Sequence, residues 1–293
     1  MSDPLPPSAA LPLVRGRRER SERGGRSSTI SNFQPWLPSF AAPAAGPPSR
    51  NSDSLFAAMS NITSQHVEIK VDDGTTMLAW LAQPAGEKPT CGIMVFPEIF
   101  GVNAHIRDVT NRFAGLGFFA ISPEVFHRTV PPKWETNYTD FAGAMPHMQA
   151  VKEASLESDV KATYNWLKSN TQAADNIASV GYCMGGRTSF LANSAVPLKA
   201  AISYYGGNMP SLVHRASKSS GAMLFFWGEL DSHIPAEHRA QVTKAMREAK
   251  KDYINVVFSY ADHGFFCDAR QSYQPDAARL SWDLVQSFLN SRL

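Results

Sequence analysis

Along the chain, short runs with strand-like hydrophobic patterning alternate with stretches of helical spacing, beginning near residue 66. "HVEIKV" alternates apolar and polar side chains with period two, meets the turn signal Asp73-Gly74 and is followed by "TMLAWLAQP", which predicts a hairpin. "CGIMVF" (91–96) is continuously apolar, the pattern of a strand covered on both faces. In "HIRDVTNRFAGLG", Ile106, Val109, Phe113 and Leu116 recur at helical spacing, and Gly115 and Gly117 mark the end. "FFAIS", a helical stretch across 149–169 and the strand "IASVGY" come next. "KAAISYYG", "AMLFFWG" and "INVVFSY" read as three further strands, with helical patterns at 236–250 and 276–291 after the last two. Alternation of this kind predicts an α/β fold, a mostly parallel central sheet with helices on both faces.

The first 58 residues break the pattern. They hold nine of the 20 prolines and the cluster "RGRRERSERGGR", and too few apolar side chains to offset the entropy of ordering, so they read as a disordered, basic leader ahead of a domain at 59–293. Met59 is a second candidate start, because "MSNITSQHVEIKV" runs directly into the first strand. The leader carries seven Arg against four acids, whereas the remainder has 21 Lys+Arg against 22 Asp+Glu. The domain therefore offers no basic face for nucleic acid. Three cysteines cannot all pair with one another, which suits a reducing, cytoplasmic setting. No apolar run reaches the length of a membrane span. A monomer or small homo-oligomer is expected.

Four side chains capable of catalysis fall just past the ends of four predicted strands. Glu98 follows "CGIMVFP", Cys183 follows "IASVGY", Asp231 follows "AMLFFWGEL" and His263 follows "INVVFSYAD". In open parallel sheets that rim is where ligands bind. Gly181, Cys183 and Gly185 keep the spacing of a G-x-S-x-G nucleophile elbow with cysteine in place of serine. A thiolate is the attacking form of cysteine; a histidine within reach takes its proton, and a carboxylate behind the histidine fixes the tautomer. The order 183, 231, 263 is nucleophile, acid, base. Backbone N–H groups of Met184 and Ile99 are the expected oxyanion hole. Each residue alone has a plainer reading as packing or turn, and two rival functions stand beside the hydrolase. One is a catalytically idle binding protein of the same fold. The other is a redox thiol protein, disfavoured because no C-x-x-C pair exists. His127, His147, His233 and His238 show no zinc spacing, and Cys91 and Cys267 read as structural, so no metal is expected.

"FPEIFGVN", "GYCMGGR", "GELDSHIP" and "ADHGFFCDAR" together resemble the dienelactone hydrolase (carboxymethylenebutenolidase) family of α/β-hydrolases, over roughly residues 64–293. The resemblance implies a cofactor-free ester or lactone hydrolase whose Cys–His–Asp triad matches Cys183, His263 and Asp231. It also implies that Glu98 contacts the resting thiol and moves when substrate binds. The family's substrate carboxylate is held by two arginines. Arg128 in "PEVFHR" matches one, and Arg270 is the nearest match to the other although it lies seven positions past His263. The segment 127–148 is expected to form part of a cap, with Trp134, Tyr138 and Phe141 lining an apolar pocket for a small ester or lactone.

Overall fold

The computed structural model describes residues 61–293 apart from Glu87 and Ala174, so the expected leader and its boundary at residue 58 lie outside the described residues. Eight strands form one sheet: β1 (Ile62–Lys70), β2 (Thr76–Pro84), β3 (Gly92–Phe96), β4 (Phe119–Pro123), β5 (Ile177–Tyr182), β6 (Ala200–Tyr204), β7 (Ala222–Gly228) and β8 (Tyr253–Phe258). Their order is β1-β2-β4-β3-β5-β6-β7-β8, and β2 alone runs against the rest. Every residue of β3 to β7 is buried, which is why these segments are continuously apolar and do not alternate. β8, at the edge, returns to a mixed pattern and leaves Ile254 and Val257 exposed.

Helices α1 (Ala104–Gly115), α4 (Met184–Ala195) and α5 (Ala236–Glu248) make crossovers within the parallel part of the sheet. The step from β3 through α1 to β4 moves one way along the sheet, whereas β5 through α4 to β6 moves the other. Right-handed crossovers therefore put α1 and α4 on opposite faces. The chain reverses direction between β3 and β5, which are hydrogen-bonded neighbours, and this switch point is where such sheets open a crevice. α6 (Pro275–Asn290) joins α1 through Phe113 and Trp282, whose rings lie 4.9 Å apart.

Two elements depart from the sequence reading. The helical stretch expected at 149–169 is α3 (Glu153–Asn170), and a separate helix that the reading lacked, α2 (Phe141–Ala150), precedes it and ends at an extended Val151. α2 carries Pro146 and Gly143 and has no apolar stripe, so periodicity does not reveal it. It starts because Asp140 caps it, its Oδ1 accepting from the Gly143 N–H at 2.9 Å. A 3-10 segment at Met209–Lys218 after β6 is likewise absent from the pattern. Among the described residues, no helix is long and apolar enough to cross a membrane.

Candidate active site

Cys183 lies between β5 and α4 with φ 55° and ψ −116°, a backbone conformation that residues other than glycine seldom hold. The glycines around it permit the turn. A Cβ on Gly181 would stand 1.9 Å from the Gly185 carbonyl oxygen, and one on Gly185 would stand 2.1 Å from the Phe96 carbonyl oxygen. The elbow is thereby pressed against the end of β3, which brings the loop carrying Glu98 and Ile99 beside the start of α4. Among the described residues, neither the Met184 nor the Ile99 backbone N–H has a protein acceptor. Both are thus available as the expected oxyanion donors.

The imidazole of His263 reaches this elbow from the loop after β8. Its Nδ1–H donates to Asp231 Oδ2 at 2.7 Å, and Cys183 is near enough for its charge to act on the ring. Burial alone would favour the neutral ring. The charge of Cys183 and the hydrogen bond to Asp231 outweigh it and lift His263 to about 10. Asp231 is itself buried; its Oδ1 accepts from the His233 N–H at 2.8 Å, which turns Oδ2 toward the imidazole. The Leu230 N–H donates to the Ala261 carbonyl at 3.0 Å, tying the acid loop to the histidine loop.

Aromatic packing fixes the histidine from below. Phe265 and Phe266, directly after Gly264, are buried and join a cluster with Tyr182, Tyr204 and Tyr205. Tyr182 and Tyr204 stack at 4.8 Å, and the Tyr205 ring lies 5.1 Å from that of His263. Pairs of this kind contribute about 0.5–1.5 kcal/mol each beyond the area they bury. Tyr205 and His233, whose ring is 5.4 Å from His263, are site residues that motif spacing does not single out. The available signal is position: Tyr205 directly follows β6, and His233 sits two residues past Asp231.

Glu98 is fully buried and pairs with Arg270, Nη1 donating to Oε1 at 2.9 Å. Its Oε2 has no partner among the described residues. The expected contact with the resting thiol is thus replaced by an ion pair with the second arginine. Gly264 makes room for that pair, because a Cβ there would meet the Arg270 guanidinium at 2.6 Å. Arg270 also lies over the Tyr138 ring at 5.6 Å and the Phe100 ring at 6.0 Å. An open cleft of about 620 Å³ lies beside His263, its walls including Tyr138, Phe141, His233, His263 and Arg270.

Two expected substrate contacts are placed elsewhere. Arg128 does not line this cleft: its Nη1 and Nη2 donate to Asp159 at 2.9 and 2.8 Å and its Nε to Asp73 at 2.7 Å. A guanidinium matches a carboxylate fork so well that the buried Asp159 takes it in preference to an open cleft. Trp134 packs against Phe126 and His147 at ring distances of 5.8 and 5.0 Å, so it closes the 127–148 segment onto the body and does not line the cleft. The three thiols differ in surroundings. Cys183 is half-buried at the elbow, Cys91 is half-buried against the core, and Cys267 is fully buried, which pushes its thiol up to about 11.

Comparison with known proteins gives concordant findings. A family model described as the dienelactone hydrolase family matches residues 77–293. A protein of Synechocystis sp. named as a candidate carboxymethylenebutenolidase is 31% identical over 227 residues, which is 73% of this chain and 91% of that protein. An Escherichia coli protein of the same name is 30% identical over 257 residues, covering 82% of this chain and 91% of its own length. A crystal structure of a candidate dienelactone hydrolase from Klebsiella pneumoniae superposes with a TM-score of 0.72 at 30% identity, covering 78% of this chain and 98% of that one.

Proposed function

The chain belongs to the dienelactone hydrolase family, with its α/β-hydrolase fold, and on that premise we propose that it hydrolyses a lactone or small carboxylic ester through Cys183, His263 and Asp231 without a cofactor. The observation that carries the reading is the single imidazole held by Asp231 at 2.7 Å and near enough to the elbow cysteine to feel its charge. The Cys183 thiolate attacks the carbonyl carbon, and the oxyanion that forms is met by the Met184 and Ile99 N–H groups. Collapse breaks the carbon–oxygen bond as the His263 imidazolium gives its proton to the departing alkoxide, leaving an acyl-thioester. Water, deprotonated by His263, then attacks the thioester; the acid leaves and the thiolate–imidazolium pair returns. Asp231 holds the ring in the required tautomer throughout.

Arg270 is the anion contact that the cleft supports. Apart from the bond to Glu98, its donors have no protein acceptor among the described residues, and it shares the cleft wall with His263. A substrate carboxylate would draw on this guanidinium, and Arg128 would play no part. Replacing Cys183 with Ala abolishes turnover of small activated esters, whereas Cys183→Ser leaves a trace; unchanged activity in the alanine variant overturns the reading. A panel of esters and lactones with and without a free carboxylate, run against Arg270→Gln, tests the anion contact. The carboxylate-bearing members should lose more rate than the others.

A further inference from the structure

A second group of reactive side chains lies outside the triad. His105, near the start of α1, is 6% exposed, and neither ring nitrogen has a hydrogen-bond partner among the described residues. Buried polar atoms are almost always satisfied, so two orphaned nitrogens on one imidazole call for an explanation. The ring is flanked by Tyr182 and Phe266, neither of which hydrogen-bonds to it. The neighbours that do face it are the buried Cys267 and the solvent-exposed Asp268. One ligating atom from each of the three residues falls within 4.8 Å of the others, and the His105 Nδ1 lies 3.6 Å from Asp268 Oδ1.

We propose that His105, Cys267 and Asp268 bind one divalent ion of the zinc class, at a site separate from Cys183. A nitrogen, a sulfur and a carboxylate oxygen suit a borderline-soft ion with tetrahedral preference, the fourth position being left for water. Magnesium and calcium, which require oxygen ligands, do not fit this donor set. Binding breaks the Cys267 S–H bond and releases that proton to solvent as the sulfur–metal bond forms. The ion has a way in, because a cleft of about 640 Å³ is lined by His105, Asn103, Tyr138 and Ala269, and Asp268 stands at the surface. Zinc motifs in sequence do not reveal the group, since His105 is separated from Cys267 and Asp268 by more than half of the described chain and meets them only through the fold.

The test titrates Cd2+ into chelator-treated, full-length Cys183→Ala protein, in which the nucleophile's sulfur cannot compete. A sulfur-to-cadmium charge-transfer absorption saturating at one ion per chain is expected. It should vanish on adding Cys267→Ala. His105→Gln and Asp268→Asn, each added to the Cys183→Ala background, should raise the half-saturating concentration by about tenfold or more, the lower end of what even outer partners of a metal ligand cost. Cys267→Ala touches the core, whereas Asp268→Asn alters only a surface side chain, so folding loss cannot account for an effect of the latter. Absence of the absorption, its persistence without Cys267, or indifference to both His105→Gln and Asp268→Asn overturns the site.

Discussion

At residue 263 three influences act on one imidazole, and their balance sets when the ring holds its proton. Burial works against the charged form, yet the Cys183 charge and the hydrogen bond to Asp231 prevail and hold the group near 10. Because the folded value lies above the ordinary one for histidine, the proton is retained at neutral pH and lost only as pH climbs through about 10. On the proposed mechanism the neutral ring cannot protonate the leaving alkoxide. Turnover of a small ester should therefore fall as pH passes about 10, and a pH–rate profile with circular dichroism at each point separates this from unfolding. The side chains proposed as the triad stood out along the chain because each follows a strand and the spacing matches an elbow. The fate of the arginines did not. Which acid captures Arg128 depends on Asp73 and Asp159, residues from a turn and a helix that no local pattern links to it.

At the level of elements, that same guanidinium joins the β1–β2 turn to α3. Asp159 on α3 is buried with only 1% of its side chain exposed, so deleting its partner strands a carboxylate inside the protein. Arg128→Ala should cost about 3 kcal/mol, near the lower end for breaking a buried pair, in denaturant unfolding. KM for esters bearing a carboxylate should stay where it was. A rise in KM with stability intact would return Arg128 to the substrate. The buried strands β3 to β7 were legible because cover on both faces demands continuous apolar runs. α2 was not, since its start is set by the Asp140 cap and its middle contains a proline; capping and tertiary contact shape it, and periodicity has no hold there.

Over the whole molecule, the Glu98–Arg270 pair spans 172 residues of chain and fastens the loop after β3 to the segment before α6. Glu98 is fully buried and one of its oxygens already lacks a partner, so Arg270→Ala leaves an isolated carboxylate in the core. A loss of about 3–5 kcal/mol is expected, and the double variant Arg270→Ala with Glu98→Gln should recover part of it. Equal stability of the two variants would show that the stranded Glu98 carboxylate costs nothing. The left-handed backbone at position 183 has a bearing on how such a chain can change over time. Any side chain there holds the same costly torsion, of order 1–3 kcal/mol, and only glycine escapes it. Cys183→Gly should therefore melt at a higher temperature than Cys183→Ala while remaining just as inert. Drift toward robustness and retention of chemistry pull in opposite directions at that one codon, so lineages freed from the need for turnover would be expected to lose the sulfur first.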